Sequence, residues 1–177
     1  MERESGTLTI LGVDPGYAIL GWGIIKYHAS IHRFVECGAV TTGKETPLPE
    51  RLKEIYDGLS GIIEMYQPDV CAIEELYFSS NQKTATKVGE ARGAAILACA
   101  QKGLPVYEYT PLQIKQAITG YGRADKYQIQ EMVRQILGLE KPPRPDDAAD
   151  AVAAAICHAN SSVFIERMAG LKASNDR

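Results

Sequence analysis

The chain lacks the features that mark a secreted, membrane-bound or thiolate-metal protein. Its four cysteines, Cys37, Cys71, Cys99 and Cys157, are scattered with no CxxC or other paired spacing. Each sits among apolar or small residues, which favours buried, reduced thiols over disulfides or a zinc site. No apolar run is long enough to span a bilayer, and the polar, charged start from Met1 to Gly6 precedes an apolar run too short for a signal peptide. A cytoplasmic protein with no membrane association is expected. Internal repeats and low-complexity tracts are absent as well. So is a general excess of positive charge: the net charge is −3, which argues against a uniformly basic nucleic-acid binder. The total hides an asymmetry. From Asn81 to Arg134 eight Lys or Arg face four Asp or Glu, a local +4 that leaves −7 for the rest. A basic block beside dispersed acids suits a nucleic-acid face around an acidic metal site, and suits ordinary solvated helices equally well.

What is present is the composition of a globular domain. The 177 residues, 45% hydrophobic and 23% charged, suffice for a single domain over 1–177 with a substantial core. That core is expected over about residues 7–160, with a frayed tail from about Gly170.

The organising stretch is Thr7-Leu8-Thr9-Ile10-Leu11-Gly12-Val13-Asp14-Pro15-Gly16. It is β-branched and apolar, then stops at an acid followed by Pro-Gly, which reads as a buried strand delivering Asp14 to the end of a sheet. Asp14 either accepts hydrogen bonds from its own turn or meets a cation, because an unpaired buried carboxylate is costly. Ile19–Ile25 and Phe34–Val40 read as two further strands with short connections, an antiparallel start. Pro47-Leu48-Pro49 opens a helix over about Glu50–Tyr66, with Leu52, Ile55, Leu59, Ile62 and Ile63 on one face. Val70–Ile73 is a short buried strand ending in Glu74-Glu75. A helix over about Asn81–Gln101 carries Ala85, Gly89 and Gly93 at intervals of four, a smooth stripe that permits close approach to the chain's own sheet or to a partner subunit. A strand (Leu104–Tyr109), a helix capped by Thr110-Pro111 (Leu112–Ile118), a helix (Lys126–Leu137) and a last helix from Asp146 to about Asn160 complete the chain. Three strands, a helix, then alternating strands and helices make an α/β protein with a mixed sheet. Acids ending the first and fourth strands lie side by side if those strands pair in parallel.

The last helix opens with Asp146-Asp147-Ala148-Ala149-Asp150. Acids in a first turn favour the helix dipole, which accounts for Asp146 and Asp147. Asp150 borders the run Ala151–Ile156, where solvent is scarce. Asp14, Glu74 and Asp150, with Asp147 close by, would repel one another without cations, and an all-oxygen carboxylate set is what Mg²⁺ or Mn²⁺ prefers.

LGVDPG, AIEELYF, GEARG, the pair IKQ and ADK, and DDAADAVAAAICH stand in the order and spacing of one family. From about Leu8 to Asn160 the chain resembles the RuvC family of Holliday-junction resolvases. The resemblance implies a ribonuclease-H-like fold with a mixed five-stranded sheet flanked by helices. It implies a homodimer that cuts four-way DNA junctions symmetrically in recombination and repair, with two Mg²⁺ per subunit (Mn²⁺ as substitute). By the same resemblance the RuvA and RuvB branch-migration proteins are partners. Asp14, Glu74, Asp147 and Asp150 take the positions of the catalytic, metal-holding carboxylates. Asp146 and Glu75 are additional acids, so the place of Asp147 rests on the DAAD spacing. Lys115 and Lys126 match basic residues near the scissile phosphate, where an ammonium steadies developing charge; each also reads as a solvated helix lysine. Tyr77 matches a junction-stacking aromatic, although aromatics more often belong to cores. Arg92, in GEARG, has no assigned role.

Two other readings fit less well. An actin- or sugar-kinase-type phosphotransferase also ends its first strand in an acid and a glycine turn, but needs a second such loop, and LGVDPG occurs once. A non-catalytic junction-binding module would have little use for four mutually repelling carboxylates.

Overall fold

The computed structural model describes residues 6–76 and 82–175, with 82–84 and 162–175 described as backbone only. Its elements, in chain order, are β1 (Leu8–Asp14), β2 (Ile19–His28), β3 (Ile31–Thr41), α1 (Leu48–Tyr66), β4 (Val70–Glu74), α2 (Gln82–Gln101), β5 (Val106–Tyr109), α3 (Pro111–Thr119), α4 (Lys126–Ile136) and α5 (Asp146–Asn175). The five strands form one sheet in the order β3-β2-β1-β4-β5. β1, β2 and β3 are antiparallel neighbours, while β4 pairs in parallel with both β1 and β5. This is the mixed, helix-flanked sheet expected.

Two differences from the expected elements have clear causes. β2 and β3 run three residues further into their hairpin than the apolar pattern indicates, and Ala29 and Ser30 close it with φ of 47° and 68°. Two consecutive positive φ values make the tight turn whose twist matches the strands, but it usually advertises itself as Asn-Gly or Asp-Gly. The backbone of α5 also continues past Asn160 to Asn175. No proline interrupts that stretch, so nothing in the chain forces the helix to stop.

Strand alternation sorts the core into two layers. In β1 and β4, Leu11, Val13, Cys71 and Ile73 face α1 and α2, together with Ile55, Leu59, Ile63, Ala91, Ala95 and Ala98. Ile10, Val70 and Ala72 face the opposite way, toward α3, α4 and α5. Side chains two apart share a face, so Asp14 and Glu74 fall on the α5 side with Ile10 and Ala72.

α5 lies unusually close to that face. Between Ala148 and Cys157 every residue except Asp150 is buried, and most are alanine, which forms helix readily without adding bulk. The sheet beneath is equally bare. A Cβ on Gly12 would fall 1.9 Å from the Ala151 carbonyl oxygen, and one on Gly21 would fall 2.0 Å from that of Asp147. Only glycine admits such approach of main chain to main chain. All four cysteines are free thiols; Cys71, Cys99 and Cys157 are buried as expected, whereas Cys37, on the outer strand β3, is only half-buried. Among the described residues, no helix is long and apolar enough to cross a membrane.

Candidate active site

Three elements bring the acids together. β1 pairs with β4 through Val13 and Ile73, one residue short of Asp14 and Glu74, so parallel register sets these two carboxyls side by side at the strand ends. Gly21 on β2 stands opposite Asp14 and directly beneath the main chain of Asp147, which seats the start of α5 over the same point. Asp150, three residues on, shares a helix face with Asp147.

The turn after Asp14 is fastened from behind. A Cβ on Gly16 would fall 1.9 Å from the Ile19 carbonyl oxygen, so only glycine fits this reversal. Thr42 holds the exit of the loop twice, donating from Oγ1 to the Tyr17 carbonyl (2.9 Å) and from its amide to that of Ala18 (3.0 Å). The Arg51 guanidinium, 3% exposed, lies 4.2 Å from the Tyr17 ring centroid. A buried cation over an aromatic face gains part of what desolvation takes from it.

The electrostatics are those of a cluster short of positive charge. Burial, then Glu74, Asp150 and Asp147, raise the Asp14 pKa to about 8, and Lys126 opposes them only weakly. Burial and Asp150 also raise that of Glu74, partly offset by a hydrogen bond from Asp14 and the charge of Lys115. Asp14 therefore carries the proton of a carboxyl pair at neutral pH. Burial raises Asp150 too, against its bond to Lys126. Burial disfavours the Lys126 ammonium, but attraction to Asp150, Asp146 and Asp147 holds its pKa above the ordinary value.

No three potential ligands among the described residues stand poised around a common point. The donor set nonetheless fits a divalent ion. It is all carboxylate, mutually repelling and partly buried, and replacing one proton and one ammonium by a dication relieves all of these at once.

Beside the acids opens a cavity of about 310 Å³ lined by Glu74, Asp150, Lys115, Lys126 and the apolar side chains of Pro111, Ile114, Ile129 and Ala153. α3 and α4, which supply the lysines, are both fixed by capping boxes, Thr110 with Gln113 and Asp125 with Gln128.

Of the residues singled out by sequence, Asp14, Glu74, Asp147, Asp150, Lys115 and Lys126 thus lie at one site. Tyr77 falls outside the described residues. Asp146 turns to Arg144 and Lys126 and does not act on Asp14, whereas Asp147 does. Sequence reasoning passed over Arg51, although its spacing from Ile55 and Leu59 places it on the buried face of α1. It also left out the apolar half of the cavity, since Ile114 and Ile129 look like any other core residue.

The family described as "Crossover junction endodeoxyribonuclease RuvC" matches residues 10–158 of this chain. The protein of that name from Chloroflexus aggregans is 56% identical over 157 residues, covering 89% of this chain and 96% of the relative. Its counterpart from Alkaliphilus oremlandii is 55% identical over 159 residues, covering 90% and 97%. Among solved structures, Thermus thermophilus RuvC in complex with a Holliday junction substrate superposes with a TM-score of 0.83 at 38% identity, covering 88% of this chain and 94% of that one.

Proposed function

The chain belongs to the RuvC family of crossover junction endodeoxyribonucleases, and from this we infer that it resolves four-way (Holliday) DNA junctions by phosphodiester hydrolysis in recombination and repair. What supports the inference is that Glu74, Asp147 and Asp150, from β4 and α5, lie near enough to act on Asp14 of β1, beside a cleft lined by Glu74, Asp150, Lys115 and Lys126.

Asp14, Glu74, Asp147 and Asp150 would hold divalent metal: two Mg²⁺ per subunit, with Mn²⁺ as a substitute. When bound, such ions polarise the scissile phosphoryl group and ease loss of a proton from attacking water. The chain's own groups do the rest. Asp14 would lose its proton to solvent on becoming a ligand. Lys126 exchanges its carboxylate partners for a phosphate oxygen, and Lys115, close enough to act on Glu74, flanks the same phosphate from α3. Ile114, Ile129 and Pro111 keep one wall of the cleft dry, which strengthens each of these interactions.

The enzyme acts as a homodimer, whose twofold symmetry sets two sites on strands of like polarity. Support comes from α2. Among the described residues, a Cβ on Gly93 would meet nothing within 4 Å and one on Gly89 would touch only Leu76, and Leu97 is 52% exposed. The Gly93 end of the stripe thus opens to solvent, away from the sheet. A groove lined by Leu52, Tyr56, Ala94 and Leu97 runs along the same face between α1 and α2. RuvA and RuvB are its partners by family membership, in the cytoplasm, and Tyr77 stacks on an unpaired junction base.

The test is incubation of the protein with labelled four-way DNA and with linear duplex, each with Mg²⁺ and with chelator. Paired nicks confined to the junction and abolished by chelator are expected. Equal cutting of the duplex would reduce the reading to a general nuclease.

A further inference from the structure

Arg92 reaches from α2 into the back of the carboxylate site. Its Nε donates to the main-chain carbonyl of Glu74 at 3.4 Å, and its terminal nitrogen pairs with the Glu108 carboxylate on β5. The Arg92 side chain is 16% exposed and that of Glu108 50% exposed, so the arginine is largely shielded while its partner stays wet. The carbonyl it reaches matters because the β1–β4 register ends at Val13 and Ile73, one residue before Glu74. On the other flank, Glu75 donates its amide to the Tyr109 carbonyl at 2.8 Å. The end of β4 is therefore anchored toward β5 by a sheet bond and toward α2 by Arg92.

A second contact on α2 acts on the same segment. Leu76, two residues past Glu74, lies against Gly89, where an added Cβ would stand 3.6 Å from its Cδ1. Gly89 and Arg92 are three apart, so both belong to the side of α2 that meets the β4 exit. Gly93 and Leu97 open to solvent on the neighbouring side.

We propose that Arg92 is a positioning residue of the metal site: by holding the Glu74 carbonyl and the Glu108 carboxylate together, it fixes the ligand end of β4 to α2. The arrangement needs a guanidinium. A lysine has one compact ammonium and no planar fork, so it can serve the carboxylate or the carbonyl but does not span both in this geometry. Glu74 without this brace keeps its fold and its charge but loses its fixed direction. Outer partners of metal ligands act in this way, and their loss is felt in ion affinity before it is felt in fold. The proposal rests on Glu74 being a metal-holding carboxylate.

The test uses Arg92→Lys and Glu108→Gln in the full chain, with Mn²⁺ as the calorimetric probe. Expected is a loss of Mn²⁺ affinity of about tenfold in each variant, the low end for outer partners of metal ligands. The Mg²⁺ concentration giving half-maximal cutting should rise by a similar factor, with junction affinity in chelator, dimer content and Tm unchanged. Wild-type Mn²⁺ affinity in both variants overturns the proposal. So does a loss of Tm or dimer content that accounts for the whole effect, because Arg92 would then be a structural residue only. Should Arg92→Lys fail to fold, Glu108→Gln carries the test without altering α2. If the wild-type protein binds Mn²⁺ yet cuts no junction, the functional reading fails while the affinity comparison still decides the role of Arg92.

Discussion

Lys126 Nζ lies 3.2 Å from Asp150 Oδ2, so an ammonium from α4 stands where the acids of α5 need positive charge. Asp146, at 3.7 Å, shares the same cation. On the proposed assignment of Asp150 as a metal-holding carboxylate, lysine and metal would compete for it, and a bound ion would free Lys126 for the phosphate.

Lys126→Ala should separate the two roles. Without the competing ammonium, the rise in Tm on adding Mg²⁺ should exceed that of wild type, while single-turnover cutting at saturating junction falls about a hundredfold, as when a transition-state donor is removed. Melting curves and quenched-flow rates measure both. A smaller Mg²⁺ response than wild type's would mean that Lys126 assists metal binding rather than competing with it.

Asp14→Asn, Glu74→Gln and Asp150→Asn should each abolish cutting and leave junction affinity in chelator nearly unchanged. Amides keep the shape but weaken ion ligation, whereas affinity comes from cationic contacts to phosphates. Gel-shift and cleavage assays on the same preparations check this. A variant that cuts at the wild-type rate in Mg²⁺ removes its residue from the ligand set.

The raised pKa of Asp14 makes the metal-free fold sensitive to pH. Between its ordinary value of 3.8 and about 8, the folded chain holds a proton that the unfolded chain has released. Stability must then fall as pH rises through that window. Asp14→Asn should flatten the slope and melt higher than wild type at pH 8 in chelator, while Mg²⁺ should rescue wild type more than the variant. Parallel Tm–pH curves for the two proteins would contradict the burial assigned to Asp14.

Gly93→Leu tests the subunit contact. Among the described residues of one subunit an added Cβ at Gly93 meets nothing within 4 Å, and leucine favours helix over glycine by up to about 1 kcal/mol, so Tm should not fall through intrachain crowding. Across a close helix contact, overpacking of about 1–3 kcal/mol should shift the protein toward monomer. Sedimentation velocity reads the shift. A dimer as tight as wild type's would move the interface off this face of α2.

Much of this site was legible in the sequence because its acids close off regular elements. Asp14 follows an apolar strand and precedes Pro-Gly. Glu74 ends a buried run, and Asp150 borders an alanine tract. Each departs from its surroundings, and strand alternation fixes the face it takes. Arg92 and Arg51 were not legible in this way. Their roles depend on what a long side chain reaches across the fold, to a main-chain carbonyl in one case and an aromatic ring in the other, and neither partner leaves a local pattern. The Ala-Ser hairpin escaped for a different reason: its geometry is held by long antiparallel pairing rather than by its own residues.

The bare strands beneath α5 have a further consequence. Asp14 rides on the sheet and Asp147 and Asp150 on the helix, so the gap between these carboxylates varies with the helix–sheet spacing. Gly12 and Gly21 set that spacing by what they leave out. A single methyl at either position would act as a shim, lifting the helix and widening every ligand distance that bridges the two layers. If these carboxylates hold an ion, as proposed, the size they could grip would be written partly in residues that carry no oxygen ligand at all.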